Sequence, residues 1–235
     1  MYTPYNLTKW TIEMFTLHHL NDSRSQRIIW LFELLQVEYE IKVYKRDKQT
    51  NLAPQELSTI HPLGTAPLLT HNGNVIAETG AICEYIVREA GDTSLIPSKE
   101  NADFIDVQFW SHFSEGSFLP PLVTAMVLNK GKDKASPFFI KYVVAKFVDA
   151  VMGAYFGKAI ERNLRFVEQH LQGRTWLVGD APTVADVQMS FPLEAVHKAG
   201  RLSACPNIAA YVERLATEPS YQKAMAEMKK AEQSA

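Results

Sequence analysis

Nowhere in the 235 residues is there an apolar run approaching the eighteen or so residues that a membrane-spanning helix needs. Cysteine is almost missing. Cys83 and Cys205 are the whole complement, with no C-x-x-C pair and no ligand spacing to any of the seven histidines, so neither a disulfide framework nor a structural zinc site is expected. An excess of one charge is also missing: 24 Lys and Arg stand against 26 Asp and Glu, and a net charge of −2 favours neither nucleic acid nor anionic lipid. The mildly basic stretches KYVVAK and MKKAEQ have apolar residues interleaved and read as ordinary helix faces. The opening MYTPYNLTKWTIEMF lacks the charged start, apolar run and cleavage site of a signal peptide, so a cytoplasmic location is expected. No internal repeat or low-complexity segment occurs. What is present is a chain 46% hydrophobic, able to build a core, and long enough for two small domains.

The pattern of that hydrophobicity changes near residue 100. Residues 1–13 have no clear period and read as an N-terminal extension, after which FTLHHL is strand-like. Residues 23–36 carry Ile28, Ile29, Leu31, Phe32 and Leu35 on one helical face, and VEYEIKVY then alternates as a half-buried strand. Pro54 suits the first turn of a short helix, PQELSTI. APLLT and VIAE are joined by Asn72-Gly73, the signature of a tight hairpin. A helix over 79–90 carries Thr79, Ile82, Cys83, Ile86, Val87 and Ala90 on one stripe and ends at Gly91. Strand, helix, strand, short helix, hairpin, helix gives a mixed four-stranded sheet.

Beyond the DTSLIPS connection only helical patterns follow. One begins at Asn101 with Phe104, Ile105, Phe109, Trp110 and Phe113, and Pro120-Pro121 must bend or break it. A second runs from about 138 to 171. Gly173 and Gly179 bracket a turn at TWLV, Thr183 and Asp186 have the spacing of a capping box, and Pro206 and Pro219 punctuate two shorter terminal helices.

HHLNDSRSQRIIWLFELLQVEYE, IHPLGTAPLLT and IAETGAICEYI, in that order and spacing, resemble the N-terminal domain of cytosolic glutathione transferases. SFLPPLV and DAPTVADVQMSFPL resemble their helical domain, in the serine-type branch found in fungi and bacteria. The resemblance covers roughly residues 14–230 and implies an α/β plus all-α architecture. It places a thioredoxin-like glutathione-binding domain at 14–92, a linker at 93–99, and an all-helical bundle domain at 100–235.

Glutathione has two charged ends and a thiol, and its site needs a device for each. Only a few per cent of an ordinary thiol ionises at neutral pH, and lowering its pKa by about 2 units takes roughly 2.7 kcal/mol of preferential thiolate stabilisation. A hydroxyl donor and a helix N-terminus supply it. On capping preference alone, Ser23 reads as a helix cap. The resemblance makes it the thiol-activating serine, with Asn21 and Ser25 as the alternatives facing sulfur and Arg24 adding positive potential. Pro67 alone would read as trans; the resemblance makes it the cis-proline whose preceding residue, Ala66, binds the cysteinyl part through backbone. Glu78 and Thr79 match the acidic-hydroxyl pair that holds the γ-glutamyl end, with threonine where most relatives have serine. Thr65 departs from the longer polar residue many relatives carry, which leaves the glycyl carboxylate to His61, Lys48 or Arg46, each equally readable as an exposed polar residue.

Cys83 lies on the apolar stripe of its helix and reads as inert core; neither cysteine occupies the catalytic position, which argues against the cysteine-type relatives. A hydrophobic electrophile would bind between the domains against some of Trp110, Phe113, Phe118 and Leu119, although an aromatic row at helical spacing is more often core. The implied activity is attack of a glutathione thiolate on a hydrophobic electrophile, or on a peroxide. The alternative is a non-catalytic glutathione-binding or interaction module on the same fold. Glutathione enters as co-substrate, with no permanently bound cofactor and no metal, and the implied assembly is a homodimer.

Overall fold

The structure, a computed structural model, describes residues 14–235, so the expected extension at 1–13 lies outside the described residues. The first half contains β1 (Phe15–Leu20), α1 (Gln26–Leu35), β2 (Tyr39–Tyr44), α2 (Glu56–Ile60), β3 (Leu68–His71), β4 (Asn74–Ala77) and α3 (Thr79–Ala90). Its strands form one sheet in the order β2-β1-β3-β4, with β1 and β2 parallel and the other two pairs antiparallel. This is a thioredoxin-like sheet. The β1 side chains alternate between its faces. Phe15 and Leu17 meet α1, where Phe32 lies 5.6 Å from Phe15 and stacks at 4.6 Å on Tyr39 of β2. His18, on the opposite face, bonds Tyr44 and Thr70.

The hairpin reading holds, with Asn72 and Gly73 at φ 49° and 73°, and α3 ends at Gly91 with φ 70°. The first helix begins later than its apolar face suggests, at Gln26 rather than residue 23. Residues 23–25 instead form a turn in which the Ser25 N–H donates to the Ser23 hydroxyl at 3.3 Å.

The second half is all-helical: α4 (Phe104–Phe113), α5 (Leu119–Lys134), α6 (Phe138–Val151), α7 (Gly157–His170), α8 (Val184–Lys198), α9 (Pro206–Thr217) and α10 (Pro219–Ser234). Pro120 and Pro121 do not break the chain into separate helices. They sit in the first turn of α5, which continues from α4 through a π-helical turn, Ser114–Phe118, where the Leu119 N–H donates to the Ser114 carbonyl. Pro121 has no N–H to give the carbonyl of Ser117, and the side-chain amide of Asn163 on α7 donates to it instead at 2.7 Å. The expected long helix over 138–171 is likewise interrupted by a π turn, Met152–Phe156. A Cβ on Gly157 would stand 2.7 Å from the Met152 carbonyl oxygen, so glycine is required where that turn closes.

Asp186, fully buried at the start of α8, completes the capping box with Thr183 and also accepts from the Leu177 N–H and the Tyr211 hydroxyl. The two halves share one core. The Trp30 indole on α1 donates to Ser220 on α10 at 3.0 Å, Trp30 meets Tyr221 edge-on, and the Val184 N–H donates to Leu95. No helix among the described residues is long and apolar enough to cross a membrane.

Candidate active site

Strand register brings three loops to one end of the sheet. Leu68 pairs with His18 on one side and Ala77 on the other, so the chain leaving β1, the chain entering β3 and the chain leaving β4 are neighbours. Those three segments carry Asn21–Ser25, Ala66–Pro67 and Glu78–Thr79. β2 runs parallel to β1 and delivers Arg46 to the same end. The Ala66–Pro67 peptide is cis, as is Ser136–Pro137, which nothing in the sequence pattern suggested.

Within the first loop the candidates divide. Ser23 is 7% exposed and Ser25 is fully buried, their hydroxyl oxygens 2.6 Å apart. Ser25 is turned inward, bonding His19 Nδ1 at 2.8 Å, so the outer hydroxyl of the pair belongs to Ser23. Asn21 is occupied as a brace: its carbonyl oxygen accepts the Arg46 N–H at 3.0 Å. Arg46 in turn donates through its guanidinium to the backbone carbonyls of Asn21, Asp22 and Asn51. Arg46 is thus a clamp on the Ser23 loop, with three of its five guanidinium N–H groups on backbone carbonyls. Lys48 is exposed. His61 is half-buried and accepts the Leu63 N–H on Nδ1.

Arg24 points away from a free role in the potential of the site. It bridges to Glu115 at 2.8 Å, and Glu115 is shared with Arg27 at 2.5 Å. Arg27, 0% exposed, also donates to the Gln188 backbone and side-chain oxygens at 2.6 and 2.9 Å. Burial pulls its guanidinium below the ordinary arginine range, and Glu115 opposes that pull. The cluster fastens α1, and with it the Ser23 loop, to the helical half.

Glu78 is exposed and held at φ 72°, a left-handed conformation uncommon for a residue with a side chain, which recurs at ligand sites. Thr79 behind it is buried in the first turn of α3. Glu78 lines a cleft of about 570 Å³ between α3, α4 and α8, together with Gly80, Arg88, Gln108, Glu115 and Gln188. A wider groove of about 1060 Å³ lies elsewhere, between β2, the end of α1 and α10.

The aromatic row is mostly core. Trp110, Phe118 and Leu119 are buried, and Trp110 stacks at 5.3 Å on Phe166 and lies 4.4 Å from His170. They pack within the helical half; of the four, Phe113 alone is half-buried. Cys83 is buried on the α3 stripe, and burial pushes its thiol up to about 12, which removes it from chemistry near neutral pH.

Three contributors escaped sequence reasoning: His19, Glu232 and the Arg27–Gln188 anchor. His19 could have been found as a histidine on the core-facing side of a buried strand, a position that demands partners. Its partner Glu232, 213 residues away, leaves no local signal.

The family descriptions "Glutathione S-transferase, N-terminal domain" and "Glutathione S-transferase, C-terminal domain" match residues 13–88 and 147–219. Glutathione S-transferase 3 of Schizosaccharomyces pombe is 38% identical over 186 residues, 79% of this chain and 75% of that protein. Glutathione S-transferase 1 of Saccharomyces cerevisiae is 34% identical over 221 residues, 90% of this chain and 94% of its own length. Among solved structures, a glutathione S-transferase from Actinobacillus pleuropneumoniae superposes with a TM-score of 0.76 at 33% identity, covering 91% of this chain and 92% of that one.

Proposed function

The chain belongs to the glutathione S-transferase family, and within that activity we propose that Ser23 is the residue that turns glutathione into its thiolate. The observation that carries the reading is the convergence of Ser23, Ala66–Pro67 and Glu78–Thr79 at one sheet end, beside the N-termini of α1 and α3. Glutathione carries negative charge at its thiolate and at both carboxylates, and helix N-termini favour such charge. The outer hydroxyl of Ser23 donates to the sulfur. The Ala66 backbone pairs with the cysteinyl unit, and Glu78 with Thr79 and the start of α3 receives the ammonium and carboxylate of the γ-glutamyl end. His61 is the proposed ligand of the glycyl carboxylate, with Arg46 holding the neighbouring loop. The thiolate then attacks a hydrophobic electrophile held beside it, and holding both reactants lowers the entropic barrier.

The enzyme works as a homodimer. In support, Ile105 and Phe109 on α4 and Val123, Met126 and Val127 on α5 expose large apolar surface, of the kind that marks an interface. Two buried free thiols suit a reducing, cytoplasmic setting. A crystal structure with glutathione tests the site assignment. The expected result is sulfur within about 3.5 Å of Ser23 Oγ and the γ-glutamyl end at Glu78–Thr79. Sulfur facing Asn21, or glutathione in the wider groove by α10, would overturn it.

A further inference from the structure

Ser23 is the outermost member of a chain of four side chains. Its hydroxyl lies 2.6 Å from that of Ser25, Ser25 lies 2.8 Å from His19 Nδ1, and His19 Nε2 lies 3.0 Å from Glu232 Oε1 on α10. The first three are buried, and Glu232 is one-third exposed. The far end orients the resting chain when His19 is neutral. An ionised carboxylate can only accept, so a neutral His19 carries its hydrogen on Nε2 and offers a lone pair on Nδ1. Of the two acceptors within reach of the Ser25 hydroxyl, Nδ1 at 2.8 Å is closer than the Leu20 carbonyl at 3.4 Å, so Ser25 donates to Nδ1 and Ser23 donates to Ser25. That leaves Ser23 Oγ with a lone pair, not a hydrogen, turned outward toward an arriving thiol.

We propose that the proton of the glutathione thiol passes through Ser23 and Ser25 to His19, so that the resting chain is a proton acceptor as well as a hydrogen-bond donor. The inference rests on the reading of Ser23 given above. The S–H bond breaks and its proton bonds to Ser23 Oγ as the Ser23 proton moves to Ser25 Oγ and the Ser25 proton moves to His19 Nδ1. No atom or electron enters or leaves. The product is a thiolate facing the Ser23 O–H, which now points outward, and an imidazolium held by Glu232. This resolves a conflict in the simple picture, where Ser23 has one hydrogen and two claims on it.

The imidazolium forms where negative potential is concentrated. Glu232 supplies a carboxylate 3.0 Å from His19 Nε2. Other charged groups packed around His19 are engaged or averted. On β2, Val43 is level with His19, while Glu40 and Lys42 lie on the opposite face of the sheet. On α1, Arg27 is bound to Glu115, and Glu33 to Lys223 of α10. On β3, His71 bonds Tyr85. On α10, Lys230 pairs with Glu227, and Lys229 is exposed.

The test counts protons released to the buffer per thiolate formed when glutathione binds, using thiolate absorbance together with an indicator or calorimetry in buffers of different ionisation heat. At about pH 8, above the ordinary imidazole range, the wild type should form thiolate while releasing far less than one proton for each. His19→Gln and Ser25→Ala should release one proton per thiolate. Glu232→Gln keeps an acceptor for Nε2–H but removes the charge, and should move the thiolate titration upward by about 1 pH unit. Because Glu232 is part-exposed, that variant decides the matter if His19→Gln fails to fold. One proton released per thiolate in the wild type would overturn the relay, as would wild-type behaviour of both Ser25→Ala and Glu232→Gln. If Ser23→Ala still shifts the thiolate titration in that case, the Ser23 assignment stands and only the relay falls. If Ser23→Ala shifts nothing, the assignment itself is wrong and the relay with it.

Discussion

Replacing Asp186 with asparagine should destabilise the fold by about 2–4 kcal/mol at neutral pH. Oδ1 of Asp186 accepts from the Leu177 N–H at 3.0 Å and the Tyr211 hydroxyl at 2.9 Å, and Oδ2 from the Thr183 N–H at 2.9 Å and its hydroxyl at 3.1 Å. An amide has one oxygen. Whichever way it turns, its NH2 faces one of the two backbone N–H groups, and a buried donor left unpaired costs about 1–3 kcal/mol, with a hydroxyl bond lost or reversed besides. At about 2–4 °C per kcal/mol for a chain of this size, the melting midpoint should fall by about 5–15 °C. Tyr211→Phe removes a single donor and should cost less.

The pH dependence has a definite sign. Burial pushes the Asp186 carboxyl up from 3.8 to about 6, against the pull of its four donors. A folded pKa above the unfolded one means that the associated stability is fully present below about pH 4 and is lost as pH rises through about 6; a difference of about 2 units corresponds to roughly 3 kcal/mol. The neutral acid is accommodated because the Tyr211 or Thr183 hydroxyl can reverse and accept. Asparagine does not titrate, so the deficit of the variant should be largest near pH 4 and narrow toward pH 7. Calorimetric melts of both proteins across that range read it directly. Equal midpoints at every pH, or a deficit that grows with pH, would refute the reasoning.

Gly157→Ala should cost about 1–3 kcal/mol in a denaturation curve, because its Cβ would press on the Met152 carbonyl. Gly131→Ala, in open space on α5, should instead be neutral or stabilise by up to about 1 kcal/mol. Cys83, with its thiol pushed up to about 12, should resist alkylation in the folded protein at pH 8 and react at the rate of unfolding; rapid native-state labelling would contradict its burial. Light scattering should give twice the chain mass across micromolar dilution, with Phe109→Glu, at an exposed position of α4, shifting the protein toward monomer. A monomer throughout would rule the dimer out.

The parts of this architecture that depend on local chemistry were legible before any coordinates. Asn72-Gly73 needs positive φ, Gly91 ends a helix, Thr183 and Asp186 cap one, and the alternation of β2 against the periodicity of α3 separates strand from helix. What escaped depends on residues remote in sequence. The widening of the helix before Pro120-Pro121 is possible because Asn163, on another helix, takes the orphaned Ser117 carbonyl. The apolar period of Phe104 to Phe118 says that a face is buried but not what covers it, and Phe166 and His170 cover Trp110. At the candidate site, the cis peptide at Pro67 was legible only through resemblance, since trans is the ordinary expectation. The ranking of Ser23 over Ser25 needed the contact between Ser25 and His19 Nδ1, which turns Ser25 inward and leaves no local signal.

The effect of Ser23 on the glutathione sulfur is read by ultraviolet titration of enzyme-bound glutathione against pH. A charge-assisted hydrogen bond contributes about 1.5–3 kcal/mol, so Ser23→Ala should raise the pKa of the bound thiol by roughly 1–2 units. Glutathione affinity should change less, because Glu78, Thr79 and the Ala66 backbone hold the rest of the molecule. A thiolate curve unmoved in Ser23→Ala, with glutathione still bound, would contradict the account and leave Ser23 as no more than the turn before α1.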